Sequence, residues 1–290
     1  MSEEATRIAA GLSIEPSLRD VRGPSAIGGG WRRFFDLLYL LSVTEFKRAY
    51  FGTVLGYLWS LLRPLMLFGV LLFVFTRIFR IGSGVPHYPV LLLFNIVLIT
   101  FFQEATTQAV SSVVRQEGVV RKTQFPRLVI PLAVVVTALF NLGVNLIAVL
   151  AFLLAFGVYP MWTWLFFPLI LLLLFVLTTA VSLSVSSLFV RFRDMAIIWS
   201  VLVTVLFYAT PVLYPIDIVH GVQRDLLLVN PLTPLFEQAR HWIIDSSAPG
   251  ALAAAGGWLH LVPAMVVYVG VCVLGVWIFN REAPRVAEEL

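Results

Sequence analysis

One carboxylate in this chain stands where chemistry could be done: Glu104, the only acid well inside an apolar run. An ionisable group at membrane depth is costly and by default marks a pathway or a proton relay. Glu104 has no second acid and no base within its own run, so a relay competes with a structural or cavity-lining role. A basic pair, Lys47-Arg48, is the other charged feature placed to meet a ligand. Beyond these the chain has no Walker-type phosphate loop, no HExxH, no CxxC pair and no GxSxG elbow. His87, His220, His241 and His260 are scattered without ligand spacing, which speaks against a metal site. Cys272 is the single cysteine and excludes an intrachain disulfide or a thiolate cluster. The residues point to a chain that binds and moves something rather than one that transforms it.

The elements that carry these residues are apolar helices. Hydrophobic residues make up 60% of the chain and charged residues 12%, far from the balance of a soluble domain. Runs over 56–79, 88–112, 128–156, 162–190, 195–214 and 258–279 are each long enough to cross a hydrocarbon core of about 30 Å. The expected fold is therefore all-α, a multi-pass membrane bundle of about six transmembrane helices. The net charge of +4 would suggest nucleic acid in a soluble protein; here loop bias explains it, and no nucleic-acid partner is expected. Residues 1–30 are polar and Gly-rich without an apolar h-region, and read as a flexible cytoplasmic tail with no cleavable signal peptide. The membrane domain is expected over 31–290.

Two segments flank the spans without crossing. Over 31–48, Arg32, Arg33, Asp36, Lys47 and Arg48 fall on one arc of a helix, with Trp31, Phe34, Phe35, Leu38, Leu41 and Phe46 opposite. Leu37, Leu40 and Val43 interrupt the polar face. Such a helix either lies in the lipid headgroup layer or packs on the bundle with no role of its own. Between Pro215 and Gly257 the chain is too charged to span and too apolar to be free in water. Short amphipathic helices re-entering the outer leaflet fit best, with a small extracellular cap as the alternative. Basic residues gather at 32–63, 115–127, 191–193 and 281–285, which places both termini in the cytoplasm.

Several stretches together resemble the permease subunits of type-2 ABC exporters, in the branch that moves lipid-linked polysaccharides such as O-antigen, teichoic acid, capsule or galactan. They are Phe46-Lys47-Arg48-Ala49-Tyr50 with Leu55-Gly56-Tyr57-Leu58-Trp59 and Arg63-Pro64, the Phe101-Phe102 pair and the polar helix after it, and Val120-Arg121-Lys122-Thr123-Gln124-Phe125-Pro126 with Ile130-Pro131. Further on come Arg191-Phe192-Arg193-Asp194, Thr210-Pro211-Val212-Leu213-Tyr214-Pro215, Asn230-Pro231-Leu232 and the ending Val286-Ala287-Glu288-Glu289-Leu290. Ala49, where the family often has a basic or small polar residue, and Thr210, where it often has Ser, are mild departures that leave the substrate subtype open.

The resemblance implies a permease homodimer in the cytoplasmic membrane, paired with two cassette ATPase subunits that carry the ATP and Mg; this chain needs no cofactor of its own. It also implies a substrate on an undecaprenyl-type pyrophosphate. Lys47 and Arg48 would receive that pyrophosphate. Tyr57, Trp59, Phe101, Phe102, Glu104, Trp199, Phe207 and Tyr208 would line the channel, because sugar rings stack on aromatic faces. Glu117, Arg121, Lys122, Phe125 and Pro126, with Arg191 and Asp194, would couple to the ATPase. Pro211, Leu227, Trp242 and Ile243 would belong to an external gate. Alternatives are a drug or lipid efflux permease of the same fold and a proton-coupled carrier using Glu104. An integral-membrane glycosyltransferase would need clustered acids, and Asp217, Asp225 and Asp245 are scattered.

Overall fold

The computed structural model describes residues 30–50, 56, 58–80, 85–116 and 126–282. Among the described residues there is helix and no strand. Helix α1 is Gly30–Tyr50, α2 is Leu58–Phe73 with a π-helical turn Val74–Ile78 continuing it, and α3 is Tyr88–Val110. A single turn α4, Ser112–Arg115, precedes α5, Val129–Ala155. A 3-10 turn Trp162–Phe166 leads into α6, Phe167–Arg191, followed by α7, Met195–Tyr208. Then come the short helices α8 (Val222–Val229), α9 (Leu232–Ile243) and α10 (Ala251–Ala255), and finally α11, Trp258–Glu282.

Five of these helices, Leu58–Ile78, Tyr88–Val110, Val129–Ala155, Trp162–Arg191 and Trp258–Glu282, are long and apolar enough to cross a membrane. The fifth of the six runs corrects the expectation. Instead of an unbroken span over 195–214, α7 stops at Tyr208 after 14 residues. Pro211 is the cause: it supplies no backbone donor, its ring collides with the carbonyl one turn back, and it disfavours helix at Thr210. The chain from Thr210 to Tyr214 leaves the helix as turns and bends, and its residues up to Leu213 are buried.

Buried backbone without a helix needs other partners. Asn95 on α3 donates to the carbonyls of Pro211 and Val212 at 3.2 and 3.4 Å. Tyr88, at the start of α3, donates its hydroxyl to Leu213 O at 2.8 Å. From the other side Asn230 donates to Ala209 O at 3.0 Å and to Thr210 Oγ1 at 2.9 Å. Asn95→Leu would strip two carbonyls of their donor, and losing buried partners costs about 1–3 kcal/mol. The expected outcome is a lower thermal midpoint for the purified protein, with Tyr88→Phe costing less because one carbonyl is affected.

Helix α3 is the centre of the bundle, packed by α2, α5, α6 and α7, and most of its length is buried. The outer helices expose much of their apolar surface, including Met66, Val70 and Phe73 on α2 and Ile197, Val201 and Val205 on α7. Helices α6 and α11 approach closely. A Cβ on Gly275 would lie 2.3 Å from Ala180 O, so only glycine lets the two backbones meet there. Tyr268 on α11 donates its hydroxyl to Leu173 O on α6 at 2.9 Å, fixing the same pair.

Helix α1 packs against α5. Leu38 is buried with Val129 and Ala133, and Thr137 on α5 donates to Ser42 O at 3.2 Å. Trp31, Phe35 and Tyr39 stay exposed, so the helix carries a second apolar face that the bundle does not cover.

Candidate functional site

The polar residues of α3 lie on its C-terminal half, where Thr100, Gln103, Glu104, Thr107 and Gln108 follow one another at helical spacing. They form one wall of a cleft of about 830 Å³ whose other wall is α2, with Trp59, Ser60, Arg63, Pro64, Met66 and Leu67. Asn145 of α5 contributes to its lining. Thr107 and Gln108 are exposed in the middle of the sequence between two apolar helices, where lipid contact would leave their groups without partners.

Glu104 sits at the inner edge of this cleft. Its Oε1 accepts from Asn141 Nδ2 at 2.7 Å and from Gln108 Nε2 at 3.1 Å. Amides, rather than a second carboxylate, hold it. Asn145 donates to Asn141 O at 2.8 Å and to Ser60 O at 3.3 Å, tying α5 to α2 beside the cleft. On its far side Glu104 also lines a second cavity of about 530 Å³, shared with Glu45 and Arg48 of α1, Gln108 of α3, and Arg115 and Gln116. Glu104 and Gln108 thus stand on the boundary of both spaces.

Of the residues singled out in the sequence, Trp59, Glu104 and Arg48 reach these cavities and Lys47 lines neither. Trp59 is 46% exposed and, among the described residues, is the one aromatic in the wall of the larger cleft. Phe101 and Phe102 are both 2% exposed, packed in the core of the bundle rather than along the cleft. Trp199 is buried, Phe207 packs partly on the core, and Tyr208 is 63% exposed on the other side of α7 from Trp199. Tyr57, Glu117, Arg121, Lys122 and Phe125 lie outside the described residues, while Pro126 is buried at the approach to α5. Arg191 and Asp194 are exposed at the turn between α6 and α7, with the Arg191 guanidinium over the Phe192 ring.

Pro211 and Ile243 are buried, and Leu227 and Trp242 are half-buried. Around them α8, α9 and α10 form a layer packed on α6 and α11. Thr163 and Trp164 donate to the carbonyls of Trp242 and Ile243 and fasten the end of α9. Sequence reasoning missed the polar heart of this layer. Arg240, 7% exposed, bonds Asp217 Oδ2 at 2.9 Å and Glu237 Oε2 at 3.3 Å, and Glu237, 3% exposed, also accepts from Ile216 N–H at 3.0 Å. Burial pushes the Glu237 carboxyl up to about 6, against the pull of Ile216 N–H and Arg240. The i,i+3 spacing of Glu237 and Arg240 was the available signal; their burial was not.

A charged, amide-lined cleft let into the side of an apolar helix bundle is the build of a membrane transport protein. The chain belongs to the ABC-2 type transporter family, which it matches over residues 36–244. It is similar to an O-antigen export system permease protein of Myxococcus xanthus, 32% identical over 229 residues that cover 77% of this chain and 87% of that one. A protein of the same description from Klebsiella pneumoniae is 28% identical over 260 residues, covering 88% of this chain and 95% of the other. These relatives are permeases by description, not enzymes.

Proposed function

We propose that this chain is the membrane-spanning permease of an ATP-driven exporter for an O-antigen-type polysaccharide carried on an undecaprenyl-type pyrophosphate. The observation that carries the proposal is the polar cleft between α2 and α3. Gln103, Glu104, Thr107, Gln108 and Asn145 offer amide, hydroxyl and carboxylate partners for sugar hydroxyls, and Trp59 offers one stacking face. Pro64, Met66 and Leu67 add apolar surface beside these groups, a mixture that can serve both the hydroxyls and the C–H faces of a sugar ring. Gln103, Gln108 and Asn145 supply the amides of this lining, and Trp59 its aromatic face among the described residues.

The remaining parts follow from family membership and charge. Two copies of the permease work with two cassette ATPases, which hold ATP and Mg. A second copy would close the cleft on the side where α2 and α7 expose apolar residues. Both termini face the cytoplasm of the inner membrane, α1 rests in the headgroup layer, and residues 117–126 with Arg191 and Asp194 contact the ATPase. The layer of α8, α9 and α10 dips into the outer leaflet and gates the outer mouth through Pro211, Leu227, Trp242 and Ile243.

The test is deletion of the gene followed by extraction of lipid-linked glycans. Accumulation of a prenyl-pyrophosphate polysaccharide on the cytoplasmic side, reversed by the wild-type gene and not by Glu104→Arg, is the expected result. Unchanged glycan export in the deletion strain would remove the assignment.

A further inference from the structure

We propose that Arg115 and Arg48 together form a diphosphate-binding site in the chamber between α1, α4 and α5, and that Arg115, not Lys47, is the second cation of that site. The inference deepens the function proposed above and rests on it for the identity of the ligand.

The two arginines come from distant parts of the chain, the last turn of α1 and the end of α4, yet both line the same cavity of about 530 Å³. Lys47, the neighbour of Arg48 in sequence, does not line it. Adjacent residues on a helix point about 100° apart, and here only Arg48 of the pair is directed to the chamber.

Two carboxylates, Glu45 and Glu104, share the chamber with the two arginines, and each is bonded to amides instead of to a guanidinium. Glu104 is engaged by Asn141 and Gln108, and Glu45 Oε1 accepts from Gln116 Nε2 at 3.4 Å. Among the described residues neither Arg48 nor Arg115 forms an ion pair. Arg115 is nonetheless held in place, because one Nη donates to Gln108 O at 2.9 Å across the junction of α3 and α4. A guanidinium has five N–H donors in a fixed fork, so this anchor leaves an edge for a bidentate bond to phosphate oxygens.

Two such forks match the two phosphoryl groups of a diphosphate better than they match a monophosphate or a neutral sugar. Glu104 and Gln108 also line the larger cleft, so a headgroup held here would have its glycan within reach of the amide-lined wall. The chamber takes the diphosphate; the cleft takes the sugar.

The experiment uses the full chain purified with its ATPase in nanodiscs and measures binding of geranylgeranyl pyrophosphate by titration calorimetry. Parallel titrations use geranylgeranyl monophosphate and inorganic pyrophosphate. Arg115→Ala should weaken the prenyl diphosphate at least tenfold, Arg115→Lys should weaken it less, and Arg32→Ala should leave it unchanged. The monophosphate should bind at least tenfold more weakly than the diphosphate. Inorganic pyrophosphate competing with the same Arg115 dependence would identify the anion alone as the ligand; failure to compete would identify the lipid headgroup. Wild-type affinity in an Arg115→Ala protein that elutes and melts as the wild type does overturns the site. If the wild type binds no prenyl diphosphate although the deletion strain accumulates the lipid-linked glycan, the site is wrong and the export function stands. If the deletion strain accumulates nothing, the function itself fails.

Discussion

Arg240→Ala should destabilise the layer of α8, α9 and α10 strongly at neutral pH and much less in acid. The guanidinium is the shared partner of Asp217 and Glu237, and Glu237 is almost wholly enclosed. Removing one member of a buried ion pair leaves an uncompensated charge, at a cost of about 3–5 kcal/mol. The pH dependence has a definite sign. With its pKa raised from the ordinary 4.5 to about 6, Glu237 contributes stability that is complete below about 4.5 and lost as pH rises through about 6. That loss amounts to about 2 kcal/mol in the wild type, at 1.36 kcal/mol per pKa unit. Without Arg240 the carboxyl climbs further, so the loss extends to higher pH and deepens. Melting curves in detergent between pH 4.5 and 7.5 should therefore converge on the wild type at the acid end. Adding Glu237→Gln to Arg240→Ala should restore much of the neutral-pH stability by removing the stranded charge. An equal loss at every pH would show that Arg240 acts through packing alone.

Gly275→Leu should separate α11 from α6 and prevent the bundle from closing. Even the first atom of a side chain at this position would meet Ala180 backbone at 2.3 to 3.0 Å, and backbone cannot step aside as a flexible side chain can. Overpacking costs about 1–3 kcal/mol when neighbours can shift, and more is expected where they cannot. Gly275→Ala should thus lower the thermal midpoint clearly, and Gly275→Leu should abolish recovery of folded protein from membranes. Gly270→Ala is the control, since no heavy atom lies within 4 Å of its would-be Cβ. Equal behaviour of the Gly275 and Gly270 variants would mean that the two helices do not depend on this contact.

The apolar runs and the punctuation between them were legible because hydrophobic length is a one-dimensional property. Which face of a run is buried is not. Helix α3 is apolar on nearly every side through Phe102, so nothing in its residues says that Phe101 and Phe102 turn into the bundle while Thr107 and Gln108 turn out. That is set by four neighbouring helices whose positions a sequence does not state. The same holds for the chamber at the end of α1. Lys47 and Arg48 look equivalent as a basic dipeptide, but helical rotation separates them, and Arg115 arrives from another element. Asn95 and Tyr88 carried no legible role either, because the carbonyls they serve belong to the turn after Pro211. Pro211 interrupts the apolar run over 195–214, and the helix ends six residues before that run does.

The brevity of α7 bears on the lipid around it. At 1.5 Å per residue its 14 residues rise about 21 Å, against a hydrocarbon thickness of about 30 Å. The shortfall of roughly 9 Å cannot be made up by tilting, which only shortens the reach of a helix; it must be met by thinning the bilayer or by protein filling the gap. The turn from Thr210 to Tyr214 fills part of it, with its carbonyls already capped by α3 and Asn230. In a membrane, lipids bordering α7 would be drawn inward on that side unless further protein covers the gap. A polysaccharide exported as proposed above would meet a thinner hydrocarbon barrier beside this helix than beside a helix of full length.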